Sequence, residues 1–315
     1  MSSTVRPFSV PSSSAELHEE PPRRGRGRKW TSYFLPVFFT VVLLYLITPI
    51  VVMIVFAFNN PPGRINLRWV GFTTNNFTNI LANTQLIDAI KLSLEIAVIA
   101  SAISTIVGSL LGLALGRYRF RASGAVNYLV FLAIASPEIV LGTSLLTMFA
   151  TMFKFIPLGV TTIVIAHVMF SISFVAVTVR ARVLGLNPQL EEAGQDLFAN
   201  PITTFWKITF PLLLPALLAG FLLSFALSVD DFVITYFVSG SVTTYPLLIV
   251  GSSKTGLTPD FNVIGTFLFV GGVLIALLAS LLPIFAAKRG ARRLAQDKEL
   301  AENAKAAGAT EAHAA

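Results

Sequence analysis

The chain has 315 residues, of which 54% are hydrophobic and only 12% charged, with a mean hydropathy of +0.75 and a net charge of +7. About a quarter of an average soluble domain is charged, so this composition excludes an ordinary soluble enzyme and leaves an integral membrane protein. Cysteine is absent, which excludes disulfides and thiolate metal sites.

Residues 1–29 are rich in Ser, Pro and Arg with little to bury, and predict a disordered, basic cytoplasmic N-terminus. Its run PPRRGRGRK fits a topology signal beside anionic lipid better than a nucleic-acid contact. The apolar run from Tyr33 to Phe58 lies within a first transmembrane helix expected over 30–58. It exceeds the roughly 20 residues that cross a bilayer and is too long for a signal-peptide core. Continuous stretches such as VVLLYLITPIVVMIVFAF also exclude a β-barrel, whose strands alternate. The next segment, NNPPGRINLRWVGFTTNNFTNILANTQ, is polar and opens on turn dipeptides. It predicts an external loop holding at most a short helix, with Trp69 and Phe72 as interface anchors.

Five more spans are expected: Leu92 to Leu115, Ala125 to Met152, Leu158 to Val179, Leu213 to Ile234 and Val263 to Ala286. In the second span Gly108, Gly112 and Gly116 recur every fourth residue, a spacing that permits close helix contact. The third is interrupted by SPEIVLG, where Pro137 removes a backbone donor and Glu138 follows, so a kink or break is expected. Glu138 falls in the outer half of its span and Glu95 near the outer end of the second. His167 falls near mid-depth of the fourth span, where a neutral imidazole bonded to a neighbouring helix is the expected state and a role in a substrate path the alternative. No second histidine lies in the spans, so no histidine metal site is expected.

The loop from Arg180 to Phe210 contains LEEAGQDLFANP. Asn187 and Pro188 predict a cap and helix start at Pro188, with Glu191 and Glu192 near the positive helix end. Leu190, Ala193, Gly194 and Leu197 form one face, and Glu191, Glu192, Gln195 and Asp196 the other. Asn200 and Pro201 repeat the cap, and a second stripe of Ile202, Phe205, Trp206 and Thr209 is expected to stop at Pro211. The pattern predicts two short helices at the membrane surface. A linker resting on headgroups would be basic on its polar face; this one is acidic, which favours a cytoplasmic protein partner.

In the fifth span Asp230 falls about 28 Å from Pro211 at 1.5 Å per residue, at the outer mouth. Asp230 and Asp231 are adjacent and point different ways, unlike the two acids of an intramembrane aspartyl protease, which come from separate spans. With Glu138 they make an acidic vestibule that would attract cations. GSSKTG is no phosphate loop, because Leu248 and Ser253 stand where that motif needs glycine. Residues 288–315 read as a cytoplasmic tail. Of the 23 Lys and Arg, 18 fall in the two termini and in the loops after the second and fourth spans, which puts both termini in the cytoplasm.

The loop at 180–210 resembles the EAA signature of ABC importer permeases: Glu-Ala-Ala, three residues, Gly, nine residues, then Ile, any residue, Leu, Pro. Glu192, Ala193, Ile208 and Pro211 match at full spacing, while Gly194 stands for the second alanine, Phe198 for the glycine and Phe210 for the leucine. Phenylalanine does not take a left-handed conformation cheaply, so the turn is expected to shift to Ala199 and Asn200. IVIAHVMFSISFVAVTVRARV, SPEIVLGTSLL, SVDDFVITYFVSG and GLTPDFNVIGT are similar to segments of the spermidine and putrescine permease branch, and the resemblance covers roughly residues 85–287.

That resemblance implies an all-α integral membrane protein with six transmembrane helices in the type I ABC importer permease fold, in a bacterial inner membrane, with no catalysis and no cofactor of its own. It implies an ATPase-coupling loop of Glu191, Glu192, Ala193, Gly194, Asp196, Phe198, Pro201, Ile208 and Pro211. It implies two copies of a separate ABC ATPase, a second homologous permease and an extracytoplasmic substrate-binding protein as partners. A small cation, putrescine or spermidine, would pass Glu138, His167, Asp230 and Asp231. The alternatives are an ABC permease for another small solute (an amino acid derivative, an opine, thiamine or iron), a secondary transporter driven by an ion gradient, which would normally show repeated halves, and a structural subunit without a path.

Overall fold

A computed structural model describes residues 29–274 and 277–278. The basic N-terminus, the end of the sixth expected span and the cytoplasmic tail lie outside the described residues. The chain divides into two compact units, Met1–Val52 and Met53–Ala315. Helix α1 (Lys29–Ala57) crosses that boundary and contains Pro36 and Pro49. Its side chains from Tyr33 to Pro49 are exposed, as expected of a helix solvated by lipid.

The second unit contains α2 (Asn75–Asn79), a 3₁₀ turn (Ile80–Ala82), α3 (Thr84–Arg117), α4 (Ser123–Ala135), α5 (Glu138–Thr151) and α6 (Val160–Leu184). Then follow α7 (Gln189–Asp196), α8 (Pro201–Thr204), a π turn (Phe205–Thr209), α9 (Phe210–Asp230), α10 (Val233–Val238), α11 (Tyr245–Ser253) and α12 (Pro259–Leu274). Among the described residues all regular structure is helical, apart from one antiparallel bridge between Asn59 and Phe72. The loop after α1 is ordered by Asn59, fully buried, whose amide donates to Asn66 Oδ1 and to the Arg68 carbonyl, both at 2.6 Å.

Among the described residues four helices are long and apolar enough to cross a membrane: Tyr33–Ala57, Thr84–Arg117, Val160–Leu184 and Pro201–Asp230. A fifth span is formed if α4 and α5 count as one, and these are bent by 107° at Ser136 and Pro137. The break expected at Pro137 is therefore present. Pro137 lacks the amide that would continue α4, and Ser136 before it is extended. Helix α12 belongs to the sixth expected span, the rest of which lies largely outside the described residues.

Two boundaries differ from the sequence reading. Helix α3 starts at Thr84 because Asn83 caps it, its side chain accepting from the Leu86 amide at 3.3 Å. The fifth span starts at Pro201, capped by Asn200 through the Thr203 amide at 2.7 Å, and ends at Asp230. Contrary to the expectation, Pro211 does not stop the second stripe; it is the second residue of α9, and the helix runs on to Asp230. The π turn before it, in which the Phe210 amide reaches back to the Phe205 carbonyl, widens the helix ahead of the proline ring.

The glycine stripe of α3 lies against α6. A Cβ on Gly108 would come within 2.9 Å of the Ile172 carbonyl oxygen, one on Gly112 within 2.6 Å of that of Ala176, and one on Gly116 within 2.7 Å of Val183 Cγ1. Val175, Val179 and Val183, which face these glycines, also pack with Leu213. At the other end Ile96, Leu145, Phe149, Ile163, Ala166, Ile234 and Val238 form a core joining α3, α5, α6 and α10. The seam and the two cores hold α3, α6 and α9 together, and the continuous helix Pro201–Asp230, of which α9 is the larger part, carries a candidate site at each end.

Candidate coupling loop and acidic site

The helix Pro201–Asp230 has 30 residues, about 45 Å at 1.5 Å per residue. Its N-terminal end meets α7. Asn187 Oδ1 accepts from the Gln189 amide at 3.1 Å, so the expected cap is present although regular helix begins one residue after Pro188. Gly194 is buried, and a Cβ there would stand 2.8 Å from Ile208 Cδ1. Glu191 pairs with Arg117 Nη2 at 2.5 Å and accepts from Thr209 Oγ1 at 2.9 Å. Helix α7 is thus tied to α3 by charge and to the π turn by shape.

Glu191 accordingly faces inward and not with the polar face, and of the expected apolar face only Gly194 is covered. Leu190, Ala193 and Leu197 are exposed, as are Glu192, Asp196 and Pro201. The turn does not shift to Ala199 and Asn200. Phe198 itself takes the left-handed conformation, with φ 60°, while Asn200 is extended at φ −72° and ψ 161°. Asn200 is committed to capping the next helix, which leaves position 198 to reverse the chain.

At the far end, Asp230 is exposed and Asp231 is turned inward. The Asp231 carboxylate accepts from the Thr235 amide at 2.8 Å, the Thr235 hydroxyl at 2.7 Å and the Ile234 amide at 3.4 Å, capping α10. His167 on α6, only 3% exposed, completes the cluster. Its Nε2 lies 3.1 Å from Asp231 Oδ2 and 2.9 Å from Thr235 Oγ1, and its Nδ1 lies 2.6 Å from Ser228 Oγ. One proton, on Nε2, satisfies every partner: Ser228 donates to Nδ1, and Nε2–H points between Asp231 and Thr235. The imidazole is thus bonded to a neighbouring helix.

The structure brings His167 and Asp231 together and leaves Glu138 and Asp230 outside that cluster. Glu138 is exposed in the first turn of α5, where a carboxylate suits the helix dipole, and Glu95 is exposed on α3. Sequence reasoning missed Arg117, Ser228 and Thr235. The last two were visible only as hydroxyls three residues before and four after Asp231, a spacing that gains meaning once the chain breaks at Asp231. Among the described residues no cluster of His, Asp and Glu could hold a metal ion.

The profile of the family described as the inner membrane component of binding-protein-dependent transport systems matches residues 108–296. The chain is 40% identical over 246 residues to the spermidine/putrescine transport system permease protein PotC of Haemophilus influenzae, covering 78% of this chain and 94% of that protein. It is 38% identical to PotC of Escherichia coli K12, over 78% and 92% of the two chains. Identity to the putrescine transport system permease protein PotI of the same strain is 34%, over 73% and 83%. Among solved structures it is similar to a bacterial ABC transporter involved in import of the acidic polysaccharide alginate, with a TM-score of 0.59 at 15% identity over 83% of this chain and 98% of that one. It is also similar to the MetNI methionine ABC transporter, with a TM-score of 0.52 at 16% identity over 62% and 94%.

The chain is therefore a permease, an integral, multi-pass protein of the bacterial inner membrane. It belongs to the family of inner membrane components of binding-protein-dependent transport systems. Its work is transport and not enzymatic catalysis.

Proposed function

We propose that this permease, together with a second homologous one, forms the path of an ATP-driven importer for a small polycation, putrescine or spermidine. Two copies of a separate ATPase dock on the cytoplasmic side, and an extracytoplasmic binding protein delivers the substrate. In this reading the chain has six spans and cytoplasmic termini.

The observation that carries the reading is the single helix Pro201–Asp230, which has the α7 junction at one end and the acid pair at the other. Movement of α7 by the ATPase passes to α3 through Glu191 and Arg117, and to α9 through Gly194 seated against Ile208. The continuous helix Pro201–Asp230 carries that movement to Asp230. There an exposed carboxylate offers a charge-assisted hydrogen bond to a substrate ammonium. Asp231 is already engaged and holds the mouth in shape. Glu138 adds negative charge to the approach. Relatives named for spermidine and putrescine at up to 40% identity support this substrate class.

Uptake of labelled putrescine and spermidine, in cells with and without the gene, tests the proposal; equal uptake overturns it. Loss of uptake on ATP depletion, with no loss under an ionophore, separates it from an ion-driven carrier. Glu192, exposed at the signature position, is read as a contact to the ATPase, so Glu192→Lys is expected to abolish co-purification of that subunit.

A further inference from the structure

Phe198 has the only positive φ of any non-glycine residue among those described. It occupies the position after the cap in a Schellman turn that ends α7. Its own amide donates to the Gln195 carbonyl at 2.8 Å, and the Ala199 amide donates to the Gly194 carbonyl at 3.1 Å. Glycine is the usual residue there because any Cβ makes this conformation costly. The strain is not repaid inside the chain: the Phe198 side chain is 99% exposed.

The surroundings of the ring are as telling. Leu197, Ile202 and Trp206 are 82%, 71% and 58% exposed, so Phe198 is one of several uncovered apolar side chains in this loop. Exposed Glu192 and Asp196 precede it on α7, and no Lys or Arg occurs from Val183 to Trp206. An anionic lipid surface would be repelled by this stretch. A protein surface with an apolar pocket and a basic rim would accept it.

We infer that Phe198 is the residue by which this permease selects its own ATPase, the ring entering an apolar pocket with basic side chains at its edge. This rests on the reading of α7 as the ATPase-docking helix and adds the residue that decides which ATPase fits. The Schellman turn presents the ring away from the permease, where a partner can reach it.

The test uses the complete transporter in cells, with the photoreactive p-benzoylphenylalanine placed at position 198 in one strain and at exposed Gln195 in another. Irradiation is expected to cross-link both positions to the ATPase subunit. Cross-linking from 195 alone leaves α7 docked and overturns the inference for Phe198. No cross-link from either position overturns the docking reading as well, and a lipid adduct at 198 makes the membrane the occupant and overturns the inference.

In parallel, Phe198→Gly relaxes the turn, so permease level and melting temperature should hold or rise. The ATPase retained by the tagged permease should nevertheless fall about tenfold or more, the affinity change expected for losing a buried ring. Full retention by Phe198→Gly overturns the inference.

Discussion

His167 Nε2 lies 3.1 Å from Asp231 Oδ2, with both side chains almost wholly enclosed. The contact joins α6 to the residue that ends α9, and Ser228 and Thr235 complete it on either side of the break. His167→Ala removes the shared partner, leaving the Ser228 hydroxyl buried and the Asp231 carboxylate short of a donor. An unsatisfied buried group costs about 1–3 kcal/mol. The expected result is a lower melting temperature of the purified permease in detergent, and His167→Asn, which keeps one donor and one acceptor, should lose less.

Asp230 and Asp231 are neighbours in sequence with opposite surroundings, one exposed and one held by four hydrogen bonds. Asp230→Asn should leave the melting temperature unchanged and raise the KM for cation uptake. Asp231→Asn should lower the melting temperature, because its carboxylate bonds to α10 are charge-assisted. Measured together, the pair separates a substrate contact from a structural one; equal thermal losses in both variants would contradict the assignment.

The Arg117–Glu191 pair is partly shielded, its side chains 23% and 26% exposed. Pairs near a surface contribute roughly 0.2–1 kcal/mol, so its thermal effect should be small. A double-mutant cycle with Arg117→Ala and Glu191→Ala should return a coupling energy of about 0.5–1 kcal/mol. The larger effect is expected in coupling: Arg117→Ala should reduce substrate-stimulated ATP hydrolysis more than it reduces basal hydrolysis. Glu191→Gln, which can still accept from Thr209, should fall between wild type and Glu191→Ala.

Features that depend on local covalent chemistry were legible in the sequence. Pro137 removes a donor wherever it stands, and the 107° bend follows. Asn83 and Asn200 show how far capping reaches: the cap at Asn200 was read correctly, whereas that at Asn83 was hidden within a polar loop. What the sequence concealed depends on competition between residues. Phe198 is a poor left-handed residue, but Asn200 beside it has a better use as a cap, so the less suitable residue makes the turn. Glu191 reads as part of a polar helix face until Arg117, 74 positions earlier, is brought to within 2.5 Å. Helical periodicity assigns residues to faces; it does not say which face a distant partner will claim.

Gly112 and Gly124 provide a paired test of the helix seam. A Cβ at Gly112 would stand 2.6 Å from the Ala176 carbonyl oxygen and 3.1 Å from the Arg180 amide, both backbone atoms that move only with α6 itself. Gly112→Ala should therefore force α3 and α6 apart and destabilise the permease by about 1–3 kcal/mol, the usual cost of overpacking. At Gly124, near the start of α4, nothing lies within 4 Å of an added Cβ. Gly124→Ala should be neutral, or stabilising by up to about 1 kcal/mol through helix propensity. Melting temperatures in detergent compare the two directly. If Gly112→Ala melted like wild type, α3 and α6 could not be packed as closely as this seam requires.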